Sequence, residues 1–323
     1  MSPTVTAERP DLDALMEGFD AGRIGALARA ISWFENGHAQ AGEVHAHAWP
    51  RIGKAWRTGV TGPPGAGKST LVNALTGHWQ QLGRRTALLA VDPSSPLSGG
   101  ALLGDRVRMD REEVEKVFVR SMASRGSLGG LSIAAGAAAD LIDAFGFEEL
   151  VLETVGVGQA EVDIASAADT TIVVLTPASG DGVQAMKAGL MEVADLFVVN
   201  KADTAGAPLL QNELEGMLEL RAAGAAQPRV LTTIALRGEG IAELAAAIEQ
   251  HRAASLADGS LARRRKERAL ARVKRLVVEG LRTQLWADEP TRARAEAALL
   301  GGARPDAVAA ELVRQLFGRR GGA

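Results

Sequence analysis

A chain of 323 residues, 46% hydrophobic and 23% charged, holds enough apolar content for one large α/β domain with extensions. Its net charge of -3 supplies no bulk attraction to nucleic acid or an acidic membrane, and the absence of cysteine excludes disulfides, thiolate metal sites and a cysteine nucleophile. No apolar run approaches a membrane span, and the opening residues lack the apolar core of a signal peptide, so a soluble cytoplasmic protein is expected.

In chain order, apolar spacing at Leu12, Leu15, Met16, Phe19, Ile24, Leu27 and Ile31 predicts helical structure over residues 11–36. Residues 38–47 read as a loop or frayed helix. His45 and His47 there read as solvated, because no further ligand cluster accompanies them. From Arg57 the pattern becomes strand, helix, strand, helix, which predicts a mainly parallel sheet with helices on both faces.

The first strand, residues 56–61, runs into Gly62-Pro63-Pro64-Gly65-Ala66-Gly67-Lys68-Ser69, followed by Thr70 and a helix to Gln81. This fits the phosphate-binding loop G-x-x-x-x-G-K-[ST]. A loop wrapped round a triphosphate turns its N–H groups inward, which glycine permits. Lys68 brings positive charge to β- and γ-phosphate oxygens, the Ser69 hydroxyl can ligate Mg²⁺, and the following helix points its positive end at the anion.

Further strands are expected at residues 86–91, 117–120, 149–152, 171–175, 196–199 and 230–234, with an alanine-rich helix ending at Phe145 and a last domain helix over 241–251. The basic run 262–268 opens an amphipathic helix with Leu270, Val273, Leu276, Val277, Leu281 and Leu285 on one side. It lacks interleaved aromatics and reads as a solvated face rather than a nucleic-acid surface. Helical stretches continue to Phe317. The expected organisation is a helical extension over 1–54, a phosphate-loop domain over 55–256, and a helical extension over 257–323 suited to folding back or to pairing with a second chain.

Nucleotide hydrolysis needs acids at strand ends to hold the metal, directly or through water. Asp92 and Glu153 end strands, and Asp105 lies in a Gly104-Asp105-Arg106 segment. Glu153-Thr154-Val155-Gly156 is similar to the D-x-x-G element of GTPases, where the glycine N–H contacts the γ-phosphate and is released on hydrolysis. Asn200-Lys201-Ala202-Asp203 is N-K-x-D directly after an apolar strand. Its aspartate can accept from guanine N1–H and the 2-amino group. Adenine offers neither donor, and the unpaired carboxylate would cost about 1–3 kcal/mol. Ala235-Leu236 stands where GTPases present a backbone N–H to guanine O6.

Several segments together resemble the MeaB/ArgK group of G proteins, which includes the mitochondrial MMAA protein. They are Val91-Asp92-Pro93-Ser94-Ser95, Gly104 to Met109, Ser124 to Gly130, Leu152 to Gln159, Gly180 to Gly189 and Asp195 to Asp203. The resemblance covers about residues 20 to 255. It implies a homodimeric GTPase of the SIMIBI class, a three-layer αβα phosphate-loop domain with helical N- and C-terminal extensions, that binds GTP/GDP and Mg²⁺. The implied partner is an adenosylcobalamin-dependent acyl-CoA mutase, most often methylmalonyl-CoA mutase, whose cofactor loading the family gates and which it protects from inactivation. The family's Mg²⁺ and switch positions map to Ser69, Asp92, Asp105 and Glu153, and its third mobile loop to about Pro177–Lys187. The chain departs at Ala160, where relatives often have Ser, at Pro64, and at Ile234; none of the three removes a charged group.

For hydrolysis, Asp92 or Glu153 orients the attacking water, with Gln159 as the alternative. Arg108 is either a transition-state cation or a structural ion-pair residue. Three other readings are a nickel-type metallochaperone GTPase, disfavoured by the missing cysteine and few histidines; a kinase tied to basic amino-acid transport, for which no acceptor site is visible; and a nucleotide-gated binding protein that acts through its surface.

Overall fold

The computed structural model describes residues 10–92, 117–123, 133–154, 160–178, 190–219 and 227–318. The chain divides into two compact units, Met1–Arg265 and Lys266–Ala323. The first unit opens with helices α1 (Pro10–Asp20), α2 (Ile24–Glu35) and α3 (Ala41–Ala48). The stretch expected to be helical over 11–36 is two helices. Gly22 takes a left-handed φ of 70°, and the Arg23 N–H returns to the Gly18 carbonyl at 2.9 Å, closing α1. The segment read as a loop or frayed helix forms α3, and each of its histidines has a carboxylate partner, His45 half-buried and His47 exposed. His45 Nε2 lies 2.9 Å from Asp140 Oδ2, and His47 Nε2 3.0 Å from Asp20.

Seven strands follow among the described residues: β1 (Trp56–Thr61), β2 (Thr86–Asp92), β3 (Phe118–Ala123), β4 (Glu149–Thr154), β5 (Thr170–Leu175), β6 (Leu196–Asn200) and β7 (Arg229–Thr233). They form one sheet of order β3-β2-β4-β1-β5-β6-β7. Every pairing between them is parallel. Between them lie α4 (Lys68–Gln81), α5 (Ile133–Ala144), α6 (Ala160–Ala167), α7 (Leu190–Val193), α8 (Ala207–Glu219) and α9 (Ile241–Ala257). The helix α10 (Ser260–Ala287) carries the chain out of the first unit, and α11 (Glu289–Leu300) and α12 (Pro305–Gly318) belong to the second.

The continuous apolar runs of β4, β5 and β6 are explained by cover on both faces, since successive strand residues point to opposite sides. Leu150 and Leu152 pack with Leu27, Ile31 and Leu141 on one face, so α2 and α5 share a core with the sheet. Val151, Ile172 and Val198 pack on the other with Leu71, Leu75 and Trp79 of α4 and Leu244 and Ile248 of α9. Phe197 and Val199 meet Leu210 and Leu214 of α8 in a third cluster. This three-layer αβα arrangement with added helices is the architecture expected of a phosphate-loop GTPase.

Charge gathers at the amino-terminal edge of the sheet. The buried Arg57 guanidinium donates to Asp140 Oδ1 at 2.8 Å and Asp143 Oδ2 at 3.3 Å. Asp143 also accepts the backbone N–H groups of Gly53, Lys54 and Ala55 at 2.8, 3.0 and 2.9 Å, fixing the approach to β1. Burial opposes the Arg57 charge, but Asp140, Asp143 and Asp169 outweigh it and hold the guanidinium firmly protonated. Two arginines of the basic run are anchors, not members of a solvated face. Arg265 donates to Asp169 Oδ2 at 2.7 Å, and Arg264 reaches both Asp195 oxygens at 2.7 and 2.9 Å.

Candidate nucleotide site

Ligands of parallel sheets bind beyond the carboxyl ends of the strands, and the loop after β1 lies there, between β4 and β5. Gly62 has φ 138°, and a Cβ on it would stand 2.1 Å from the Val174 carbonyl oxygen of β5. Only glycine lets the chain leave the strand this close to its neighbour. Gly67 has φ 84°, and a Cβ there would stand 2.5 Å from Asn200 Nδ2. The loop glycines thus admit both a left-handed path and the close approach of the N-K-x-D segment. Gly65 is also left-handed, at φ 79°, with open space round it, while Pro64, Gly65 and Thr70 are exposed.

Lys68 opens α4 and is buried. Its ammonium donates to the carbonyls of Gly62 at 2.7 Å and Pro63 at 3.0 Å, so it spans its own loop. Ser69 Oγ donates to Glu153 Oε1 at 2.7 Å. Register explains the meeting: Glu153 of β4 pairs with Val60 of β1, one residue before the strand ends. A hydroxyl and a carboxylate held together are oxygen ligands of the kind a hard cation takes, so the pair fits Mg²⁺. Asp92 ends β2. Asp105, Arg108, Gly156 and Gln159 lie outside the described residues, as do residues 179–187 of the expected third loop.

The N-K-x-D segment locks onto the loop from the β6 side. Asn200 Nδ2 donates to the Ala66 carbonyl at 2.9 Å. Its Oδ1 accepts from Thr233 Oγ1 at 3.1 Å and the Ala235 N–H at 3.2 Å. Asn200 thereby joins three strand ends through one amide. Lys201 takes φ 56°, a left-handed conformation disfavoured for a side chain of this kind. The turn carries its ammonium to the Gly65 carbonyl at 3.0 Å. The Thr204 hydroxyl, donating to the Lys201 carbonyl at 2.7 Å, closes the same turn. Asp203 sits at the rim, with Arg237 donating to its Oδ2 at 3.2 Å. Ala235 is buried in a short 3-10 turn, Ala235–Arg237, and Leu236 is exposed.

Lys68, Ser69, Glu153, Asn200, Lys201 and Ala235 are therefore linked through direct hydrogen bonds round one loop. Thr233 and Arg237 join the site without a signal in any of the motifs. Thr233 was legible from pairing alone, because it stands in register with Asn200 across β6 and β7. Arg237 carried no motif.

The model of the family described as "Methylmalonyl Co-A mutase-associated GTPase MeaB" matches residues 27–290. A putative GTPase of Pyrococcus abyssi is 44% identical over 271 residues, 82% of this chain and 84% of that protein. The GTPase ArgK of Escherichia coli is 37% identical, covering 83% of this chain and 84% of that protein. The mouse protein named "Methylmalonic aciduria type A homolog, mitochondrial" is 35% identical over 80% of this chain and 67% of its own length. Among solved structures, one titled "LAO/AO transport system kinase" superposes with a TM-score of 0.72 at 29% identity, covering 96% of this chain and 99% of that one.

Proposed function

This chain belongs to the family of methylmalonyl-CoA mutase-associated GTPases, MeaB, and from that premise we propose that it hydrolyses GTP to gate cofactor loading and protect an adenosylcobalamin-dependent acyl-CoA mutase. The observation that supports the nucleotide-binding part of the reading is the bond pattern joining the phosphate loop to the N-K-x-D segment, Asn200 to Ala66 and Lys201 to Gly65. It ties the glycine-rich loop directly to the segment read as selecting the base. A nucleotide bound there is read at both ends at once.

In this reading catalysis is positioning and charge stabilisation. Lys68 exchanges its carbonyl partners for β- and γ-phosphate oxygens, and the loop N–H groups and the α4 N-terminus share the remaining charge. Ser69 and Glu153, with Asp92 and Asp105, would hold Mg²⁺, which would supply positive charge to the phosphates. Asp92 or Glu153 orients the attacking water, or Gln159 does, and Arg108 is either a transition-state cation or a structural ion-pair residue. The Gly156 N–H reports the γ-phosphate. Asp203 accepts from guanine, and the Ala235-Leu236 turn would offer a backbone N–H to guanine O6. The Ala235 N–H is held by Asn200 in the structure, so it would be shared with the base.

The partner is inferred from the family's description, which names methylmalonyl-CoA mutase. We place the homodimer contact on α10, where Leu270, Val273, Leu276 and Val277 are exposed along one helix. Among the described residues no helix is long and apolar enough to cross a membrane. The test is GTP turnover measured alone and with purified methylmalonyl-CoA mutase. We expect slow intrinsic turnover that rises on adding the mutase, and a complex whose stability depends on a non-hydrolysable GTP analogue. No complex and no acceleration with any cobalamin-dependent mutase would overturn the partner while leaving the GTPase.

A further inference from the structure

We propose that Arg237 is a positioning residue for base recognition: it presets the carboxylate of Asp203 so that both of its oxygens face the donor edge of guanine. The proposal rests on the reading of Asp203 as the base-reading acid. Asp203 stands at the rim of the site, 36% exposed, on a short side chain with two rotatable bonds. Guanine presents N1–H and the 2-amino group side by side. Accepting both fixes the carboxylate plane in one orientation, and a plane already held there costs less to engage when the base arrives.

Arg237 is built to hold it. Its Nη2 donates to Asp203 Oδ2 at 3.2 Å, while its Nη1 lies 3.7 Å from Glu239 Oε1, so the guanidinium is braced between two carboxylates. The backbone beneath it is fixed. The Arg237 N–H donates to the Ile234 carbonyl at 2.8 Å, the Gly238 N–H to Ala235 at 3.2 Å, and the Ile234 N–H to the Glu239 carbonyl at 3.0 Å. Gly238 and Gly240 close the turn at φ 74° and 78°, and a Cβ on Gly240 would meet the Thr232 carbonyl oxygen at 2.3 Å. The same turn carries the Ala235 N–H to Asn200, so it is tied to the N-K-x-D segment at its buried end by Asn200 and at its rim by Arg237.

A carboxylate offers about four lone-pair positions, and one arginine N–H occupies one of them. The two guanine donors can therefore bind with the arginine still in place. The pair is exposed, Arg237 at 60%, and an exposed ion pair contributes little to folding. Its consequence lies in where one carboxylate points.

The test compares GDP with IDP, whose hypoxanthine base lacks the 2-amino group. Dissociation constants are measured for the wild type, Arg237→Ala, Arg237→Lys and Glu239→Ala, with ADP as reference. Losing a preset carboxylate harms two hydrogen bonds more than one. Arg237→Ala should weaken GDP by about 5- to 10-fold and IDP by about 2-fold or less, raise KM for GTP and hold kcat. Arg237→Lys should recover part of the loss, and in an Asp203→Ala background Arg237→Ala should change nothing further. Equal weakening of GDP and IDP, or none, would overturn the proposal even where the wild type prefers GDP to ADP. Should Arg237→Ala fail to fold, Glu239→Ala tests the same orientation through a smaller fall in the preference for GDP over IDP, and an unchanged preference there would overturn the proposal. A wild type that does not distinguish GDP from ADP would instead remove the reading of Asp203 itself.

Discussion

The cations at the two ends of the strands are held by different partners. At the amino-terminal edge acid meets base: Arg57 with Asp140 and Asp143, Arg265 with Asp169, Arg264 with Asp195, Arg84 with Glu149. At the carboxyl edge the lysines Lys68 and Lys201 donate to backbone carbonyls of the loop they serve. A cation paired with a buried carboxylate is committed to the fold. A cation resting on a neutral carbonyl gives up little when an anionic oxygen replaces that carbonyl. The first arrangement fixes where strands begin, and the second holds two lysines on the loop where a phosphate would sit.

That contrast sorts the consequences of mutation. Lys68→Ala should abolish GTP turnover, a fall of at least about 100-fold, while leaving the urea midpoint nearly unchanged. Near-normal turnover would show that the carboxyl edge does not do chemistry. Asp143→Ala should do the reverse. It strips the buried Arg57 of a partner and frees three N–H groups, and should cost about 3–5 kcal/mol in equilibrium unfolding with GDP affinity of the folded fraction retained. A loss below about 1 kcal/mol would mean that the ion network is ornamental.

Glu149 gives the subtlest check. Burial pushes its carboxyl up to about 7, against the pull of Arg84 and Arg252, and its Oε2 has no hydrogen-bond partner among the described residues. The folded chain therefore holds this proton more tightly than the unfolded chain, whose ordinary value is 4.5. Its stabilising contribution is complete below 4.5 and is lost as the pH rises through about 7, on the order of 2 kcal/mol between pH 5 and 8. Glu149→Gln should flatten that part of the stability profile. An unchanged slope would assign it to other groups.

The carboxyl edge was largely legible in the sequence because its parts are local. A strand, a glycine-rich loop and a helix follow one another from Trp56 to Gln81, and Asn200 to Asp203 directly ends a strand. The amino-terminal edge was not legible, because it depends on which strands become neighbours. Glu149 comes within reach of Arg84 because β4 inserts between β2 and β1. No spacing in the chain announces that. The break at Gly22 was hidden by apolar spacing that continues through it, and Arg264 and Arg265 looked like a solvated run because their acids lie 69 and 96 positions away. Arg237 escaped notice for the same reason: its partner Asp203 is 34 positions distant.

The carboxyl edge is proposed to read guanine through Asp203 while the phosphate loop holds the rest of the nucleotide. The most direct measurement is equilibrium binding of GDP, ADP and XDP to the wild type and to Asp203→Asn. The wild type should bind GDP at least about 100-fold more tightly than ADP, and Asp203→Asn should lose GDP and gain XDP, because an amide N–H₂ meets the xanthine 2-oxo group. A wild type that binds GDP and ADP equally, or a variant that keeps its GDP affinity, would contradict it.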